Sequence, residues 1–136
     1  MSATKPLILN FPIIKDPNGN LTFLQHPNQI PFEIKRTFWT YDVPGGEMRT
    51  GHAYRNQEEV IVALSGSFDV IISNIDGTSD KFSLNRSYIG LYLPAKTWRH
   101  VDNFSTNSLI LHISSQPYSE QDYIREFDDF KTLINV

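Results

Sequence analysis

Residues 46–66, GEMRTGHAYRNQEEVIVALSG, decide the fold. Side chains alternate across an extended strand, so His52 and Tyr54 share one face while Ala53 takes the other. A polar connection, residues 55–58, leads into Val60-Ile61-Val62-Ala63-Leu64, a short apolar run rich in β-branched residues that reads as a buried strand. Gly66, between Ser65 and Ser67, supplies the positive φ of a tight turn and sends the chain back on itself. An imidazole and a phenol on one strand face, followed at once by a buried strand, place polar chemistry inside a β-structure.

Outward from this stretch, period-two patterns and β-branched or aromatic runs continue from Leu21 to Ser114. They predict strands over residues 21–25, 32–41, 48–54, 58–64, 67–73, 81–84, 89–93, 97–101 and 109–114. Asp16-Pro17-Asn18-Gly19, Pro44-Gly45-Gly46 and Asp76-Gly77 mark further corners. Many short strands at this spacing predict an antiparallel sandwich or barrel. The proline-containing start, residues 4–12, reads as an arm or as a first edge strand. Only the tail changes period. Ser119 followed by Asp122 is a capping pattern, and Tyr123, Phe127, Phe130 and Ile134 recur at helical spacing, which predicts one helix over 119–134.

The chain has 136 residues, 40% hydrophobic and 20% charged, the composition of one folded domain spanning 1–136. A net charge of −3 offers no broad basic field, so nucleic acid is not expected as a partner. Without cysteine there is no disulfide framework, thiolate metal site or catalytic thiol, and a cytoplasmic setting is expected. No apolar run approaches the length of a membrane span, and the first residues lack the basic start and apolar stretch of a secretory signal.

Residues 46–66 resemble the first cupin motif in every spacing. His52 and Tyr54 stand where that motif has two histidines, Glu59 (or Glu58, if the spacing is one shorter) takes the acidic position, and Gly66 closes the hairpin. Pro94, Arg99 and Asn103 keep the proline, last-ligand and asparagine spacing of the second motif. The expected fold is therefore all-β, a cupin-type antiparallel β-barrel (jelly roll) with a short C-terminal helix. No metal site is expected: a cupin metal takes about four protein donors, and here two imidazoles are replaced, one by a guanidinium with no lone pair to offer. A guanidinium in a low-dielectric cavity instead favours an anionic ligand or an enolate.

Longer stretches carry a closer resemblance: NFPIIKDPNGNL near the start, FEIKR, RTGHAYRNQEEV, GLYLPAKTW and the tail YSEQDYIREFDDF. Together they are similar to the sugar nucleotide 3,4-ketoisomerases, the FdtA and QdtA group of WxcM-like cupins. That resemblance implies a homodimer with the N-terminal segment, residues 1–20, exchanged between subunits. It implies a dTDP-linked 4-keto-6-deoxy-D-glucose as substrate, no cofactor and no metal. The reaction moves the carbonyl from C4 to C3 through an enediolate, in deoxyamino-sugar synthesis for surface polysaccharide.

His52 is then the expected base. Tyr54 replaces the second histidine, and a phenol with a pKa of about 10 donates a proton or hydrogen bond but is a poor base at neutral pH. Arg49 matches a family arginine and is expected to hold a phosphate or the enediolate, which a planar fork binds through paired oxygens. Arg36, Arg99, Trp98 and Glu59 complete the expected substrate-binding set. Relatives carry histidine or arginine at the position of Arg99, a neighbourhood implied in the C4 configuration, and the gluco product is expected. Phe38 stands where some members have tyrosine. With Tyr54, it motivates the alternative of a non-catalytic cupin that binds a nucleotide sugar. His26, His100 and His112 read as structural or solvated, with His100 facing away from Arg99. The tail acids Glu120, Asp122, Glu126, Asp128 and Asp129 read as a solvated helix face.

Overall fold

The computed structural model describes residues 5–135. Ten strands form two five-stranded antiparallel sheets. In chain order they are β1 (Leu7–Asn10), β2 (Arg36–Thr40), β3 (Arg49–Tyr54), β4 (Glu59–Ser65), β5 (Phe68–Ser73), β6 (Ser79–Leu84), β7 (Ile89–Leu93), β8 (Trp98–Asp102), β9 (Leu109–Ser114) and β10 (Tyr123–Ile124). One sheet runs β1-β7-β4-β9-β2 and the other β10-β3-β8-β5-β6. This is a jelly roll, in which consecutive strands cross between facing sheets so that polar and apolar residues alternate outward and inward.

The inner faces meet in a core that includes Ile61, Phe68, Val70, Leu91, Val101 and Ile110. Val101 and Ile110 also form part of the wall of a cavity between the sheets, so that the packed core gives way there to open space. Burial of such side chains, about 25 cal/mol per Å² of apolar surface, is the main term holding the sheets together. A second cluster, with Phe11, Ile30, Phe32, Val60 and Tyr92, packs the N-terminal segment onto the outer face of the β4 and β7 strands.

Three expectations change. Residues 21–25 do not form a strand: Leu21 makes a single bridge to Ile14, and the segment continues as a loop across the second cluster. Its alternation comes from laying Leu24 onto that cluster while Leu21 stays exposed, not from pairing in a sheet. The stretch 32–41 narrows to Arg36–Thr40, because Ile30 and Phe32 are core anchors of the incoming loop.

The tail departs furthest. Ser119 makes no side-chain cap and opens only a 3-10 turn, Glu120–Asp122. Asp122 is buried, and its carboxylate accepts hydrogen bonds from the backbone N–H groups of Asn56 (2.8 Å) and Gln57 (3.1 Å), fixing the β3–β4 connection. Tyr123 and Ile124 then pair with Tyr54 and Ala53 as an edge strand. Sheet pairing therefore overrides helical periodicity until Phe127, where α1 (Phe127–Ile134) begins. That helix packs Phe127 and Phe130 against Trp98. Among the described residues no helix is long and apolar enough to cross a membrane.

The start of the chain resolves as an edge strand, β1, paired with β7 of the same chain through Leu7↔Tyr92 and Ile8↔Leu91. The first four residues of the 1–20 segment lie outside the described residues.

Candidate active site

The cavity between the sheets has a volume of about 290 Å³. That is at the small end of ligand clefts, roughly 300–1,000 Å³, and suits a group the size of one sugar ring. Its two walls carry different chemistry.

On the first wall, His52 of β3 sits directly across from Arg99 of β8 in the strand register. Tyr54, two residues along β3, presents its ring edge-on to His52 with centroids 4.9 Å apart. Tyr123 of β10 closes on both, 4.7 Å from the Tyr54 ring and 5.7 Å from His52. Gly51 permits this arrangement, since a Cβ there would stand 2.7 Å from Nε1 of Trp98 behind the strand. Arg49 lies at the start of β3, exposed and lining the cavity, where the pairing with β8 becomes irregular.

The electrostatics of this wall follow from burial. Desolvation, and after it the positive charge of Arg99, pushes the His52 imidazole down from 6.5 to about 4, so that it is neutral at pH 7. Its Nε2 is buried and has no hydrogen-bond partner in the protein. Burial also raises the Tyr54 phenol far above its ordinary value, with the charge of Glu59 acting in the same direction and a hydrogen bond to Tyr123 adding to it. Tyr54 is therefore a donor and not a base.

Arg99 is the least ordinary group in the molecule. It is 1% exposed, and Nε, Nη1 and Nη2 all lack a hydrogen-bond partner in the protein. Glu59 Oε1 stands 3.7 Å from Nη1, an ion-pair distance but too long for a hydrogen bond. The guanidinium carbon lies 5.0 Å over the Tyr54 ring, a cation–π contact. A buried cation normally satisfies its donors. One that does not, on the wall of a cavity, has donors to offer to the oxygen atoms of a ligand.

The facing wall comes from β2 and β9. Phe38 and His112 stack at 4.3 Å with their planes 4° apart. His112 Nδ1 donates to Glu59 Oε2 at 3.1 Å, and Nε2 is 2.9 Å from Thr40 Oγ1. Burial alone would raise the Glu59 carboxyl, but His112 and Arg99 outweigh it and hold the group below its ordinary value, ionised. Glu59 thus stands behind the cavity and ties the two walls together electrostatically.

Of the residues expected from the sequence, His52, Tyr54, Arg49 and Arg99 line the cavity, and Glu59 supports it. Arg36 does not line it. Its guanidinium stacks over Phe38 (4.6 Å) and Tyr118 (5.4 Å) and donates to Gln57 Oε1 at 2.8 Å. Trp98 is placed elsewhere: strand alternation turns it away from Arg99 and into the cluster under α1, so it is a packing residue. His112, expected to be structural or solvated, lines the cavity instead, and His100 also reaches it despite its position beside Arg99. Thr40, Tyr123 and Arg125 are further lining residues not singled out from the sequence. Among the tail acids, Asp122 is buried, and Glu120 grips Arg125 in a two-pronged pair at 2.7 and 2.9 Å.

Among the described residues no group of three or more His, Asp or Glu side chains is placed to hold a metal ion. The donor set is one of proton-transfer groups and cations around a polar cavity.

Comparison with known proteins gives these features a lineage. Residues 4–135 match the family described as FdtA: WxcM-like, C-terminal. The TDP-4-oxo-6-deoxy-alpha-D-glucose-3,4-oxoisomerase of Aneurinibacillus thermoaerophilus is 36% identical over 128 residues, covering 93% of this chain and 91% of that protein. The crystal structure of a 3,4-ketoisomerase from Helicobacter canadensis superposes with a TM-score of 0.92 at 35% identity, covering 96% of this chain and 98% of the other. The WlaRB TDP-quinovose 3,4-ketoisomerase of Campylobacter jejuni gives 0.88 at 37% identity over 96% and 99%. With the neutral imidazole and the buried guanidinium of its cavity, the chain belongs to the FdtA, WxcM-like family of cupin-type sugar 3,4-ketoisomerases.

Proposed function

We propose that the substrate is TDP-4-keto-6-deoxy-D-glucose and that the product is its 3-keto isomer, made without a metal ion. The reading rests above all on one observation: an unpartnered His52 Nε2 shares a small cavity with an unpartnered Arg99 guanidinium. Isomerisation needs a base at the carbon beside the carbonyl and fixed positive charge where the enediolate oxygen develops. His52, neutral and desolvated, removes the C3 proton. Arg99 neutralises the oxyanion, and its free donors become satisfied only when oxygen atoms occupy the cavity.

Tyr54 and Tyr123 hold the imidazole by ring contacts. The cavity admits the sugar ring, which leaves the diphosphate at the mouth, where Arg49 is exposed. Arg36, with a buried Nε lacking a partner, is a second cation available to the nucleotide portion. A cytoplasmic setting agrees with this substrate class and the cysteine-free chain.

Proton NMR with this substrate in deuterated water tests the reading. Loss of the C3 proton signal together with appearance of a 3-keto product is expected. Binding without exchange would instead assign the chain to the ligand-binding cupins and sink the isomerase reading.

The same reading includes a homodimer built through the N-terminal segment. Leu7, Ile8, Ile14, Leu21 and Phe23 are all exposed along this stretch, an apolar surface that a second copy would cover. Sedimentation equilibrium is expected to return twice the chain mass of 15.6 kDa. A monomer at micromolar concentration would remove the dimer.

A further inference from the structure

The isomerisation contains two proton transfers at carbon, one away from C3 and one onto C4. In a gluco-configured pyranose chair the hydrogens at C3 and C4 are both axial and lie on opposite faces of the ring. A single base on one side reaches only one of them. The cavity offers groups on both sides. His52 and Arg99 project from the sheet containing β3 and β8, whereas Thr40 and His112 project from the facing sheet through β2 and β9.

His112 is held in the manner of a relay. Its Nδ1 is fixed by a buried carboxylate at 3.1 Å, its ring is clamped against Phe38, and its Nε2 meets the Thr40 hydroxyl at 2.9 Å. The carboxylate gives an imidazolium its counter-charge, and the Thr40 hydroxyl, on the cavity wall, is the atom that can pass the proton on.

We propose, resting on the ketoisomerase reading, that the Thr40 hydroxyl, supplied by His112, protonates C4 on the ring face opposite His52, and that the product therefore has the gluco configuration. The steps balance. His52 Nε2 takes the C3 proton, the C–H electron pair becomes the C3=C4 double bond, and the carbonyl π pair moves onto O4. The O3 hydroxyl proton passes to O4, which leaves the oxyanion at O3. That oxygen then re-forms a carbonyl at C3, while the C3=C4 pair takes the hydroxyl proton of Thr40 and Thr40 recovers one from His112 Nε2. His52 ends charged and His112 neutral, and both reset by exchange with solvent at the cavity mouth. Thr40 is the catalytic residue of this half-reaction. His112 and Glu59 act through it.

Isotopes separate this scheme from a one-base shuttle. Wild-type protein given C3-deuterated substrate in ordinary water is expected to form product with no deuterium at C4, and the C4 proton is expected to show the large diaxial coupling to C5. Thr40→Val and His112→Gln are expected to slow product formation about 100-fold or more, the range for losing an acid. Both should still wash the C3 proton into deuterated water within a few-fold of the wild-type rate. A structural role would lower the two rates together, and that outcome, like an unchanged product rate, would overturn the proposal. So would deuterium carried from C3 to C4, or an equatorial C4 proton in the product, and these wild-type readouts stand even if a variant fails to fold. Wild-type protein that neither exchanges nor isomerises would overturn the ketoisomerase reading as well. Isomerisation with deuterium transfer would overturn only the two-sided scheme.

Discussion

His52→Asn is expected to lower kcat by about 10²–10⁴-fold, the usual contribution of a positioned base, with the melting temperature close to that of the wild type. Asparagine keeps a polar group of similar reach beside Tyr54 but cannot accept the C3 proton. Little packing is lost, because His52 meets the rings of Tyr54 and Tyr123 on one side and open cavity on the other. As the proposed base, the same residue is expected to set the acid limb of the pH profile. The imidazole is the base form, and its value is lowered from 6.5 to about 4, so that form persists as pH falls until about pH 4. The acid limb of kcat/KM, which reports the free enzyme, is expected there and not near 6.5. Unlike the Thr40 and His112 variants, the asparagine protein should also stop exchanging the C3 proton. Retained exchange would take His52 out of the base role, whatever the effect on product formation.

The barrel and one wall of this site are legible in the sequence, and the other wall is not, for a physical reason. His52 and Tyr54 lie two residues apart on one strand, so alternation alone puts them on the same face. His112 reaches Glu59 across 53 residues of chain, through the register of β4 against β9, and no local pattern encodes that register. A histidine in an apolar strand looks like a core residue until its neighbour across the sheet is known to be a buried carboxylate. Trp98 shows the converse. The alternation that points Arg99 inward turns its neighbour outward, so Trp98 was decidable as a packing residue from the strand pattern. His100 obeys the same rule only loosely and still borders the cavity. In the tail, the helical spacing of Tyr123 and Phe127 is genuine, but Asp122 binds two backbone N–H groups and Tyr123 and Ile124 complete an edge of the sheet. These long-range bonds outweigh a weak propensity and deliver Tyr123 to the wall of the cavity.

Arg99→Met is expected to separate activity from stability in opposite directions. In the wild-type fold Arg99 is 1% exposed and its guanidinium has no hydrogen-bond partner in the protein, while one carboxylate oxygen stands at 3.7 Å. Desolvating such an ion costs several kcal/mol, which a single ion-pair contact offsets only in part. Methionine has similar length, no polar atom and an adaptable thioether. Glu59 keeps its bond to His112, so the substitution does not strand the carboxylate. The variant should therefore melt at the wild-type temperature or above it. Its kcat should fall about 10²–10³-fold, the range for removing one preorganised donor from a developing oxyanion. Lysine should not rescue it, because a single ammonium cannot present paired donors from the same position. Arg99 is also the second-largest cause of the lowered His52 value, after burial. Its removal should let the imidazole rise, which moves the acid limb of kcat/KM upward from about pH 4. A variant that melts well below the wild type would make Arg99 a structural ion-pair member. Unchanged turnover would mean that the enediolate charge is carried elsewhere. Loss of turnover with raised stability and an upward-moving acid limb is the combination that only a cation kept for its substrate produces.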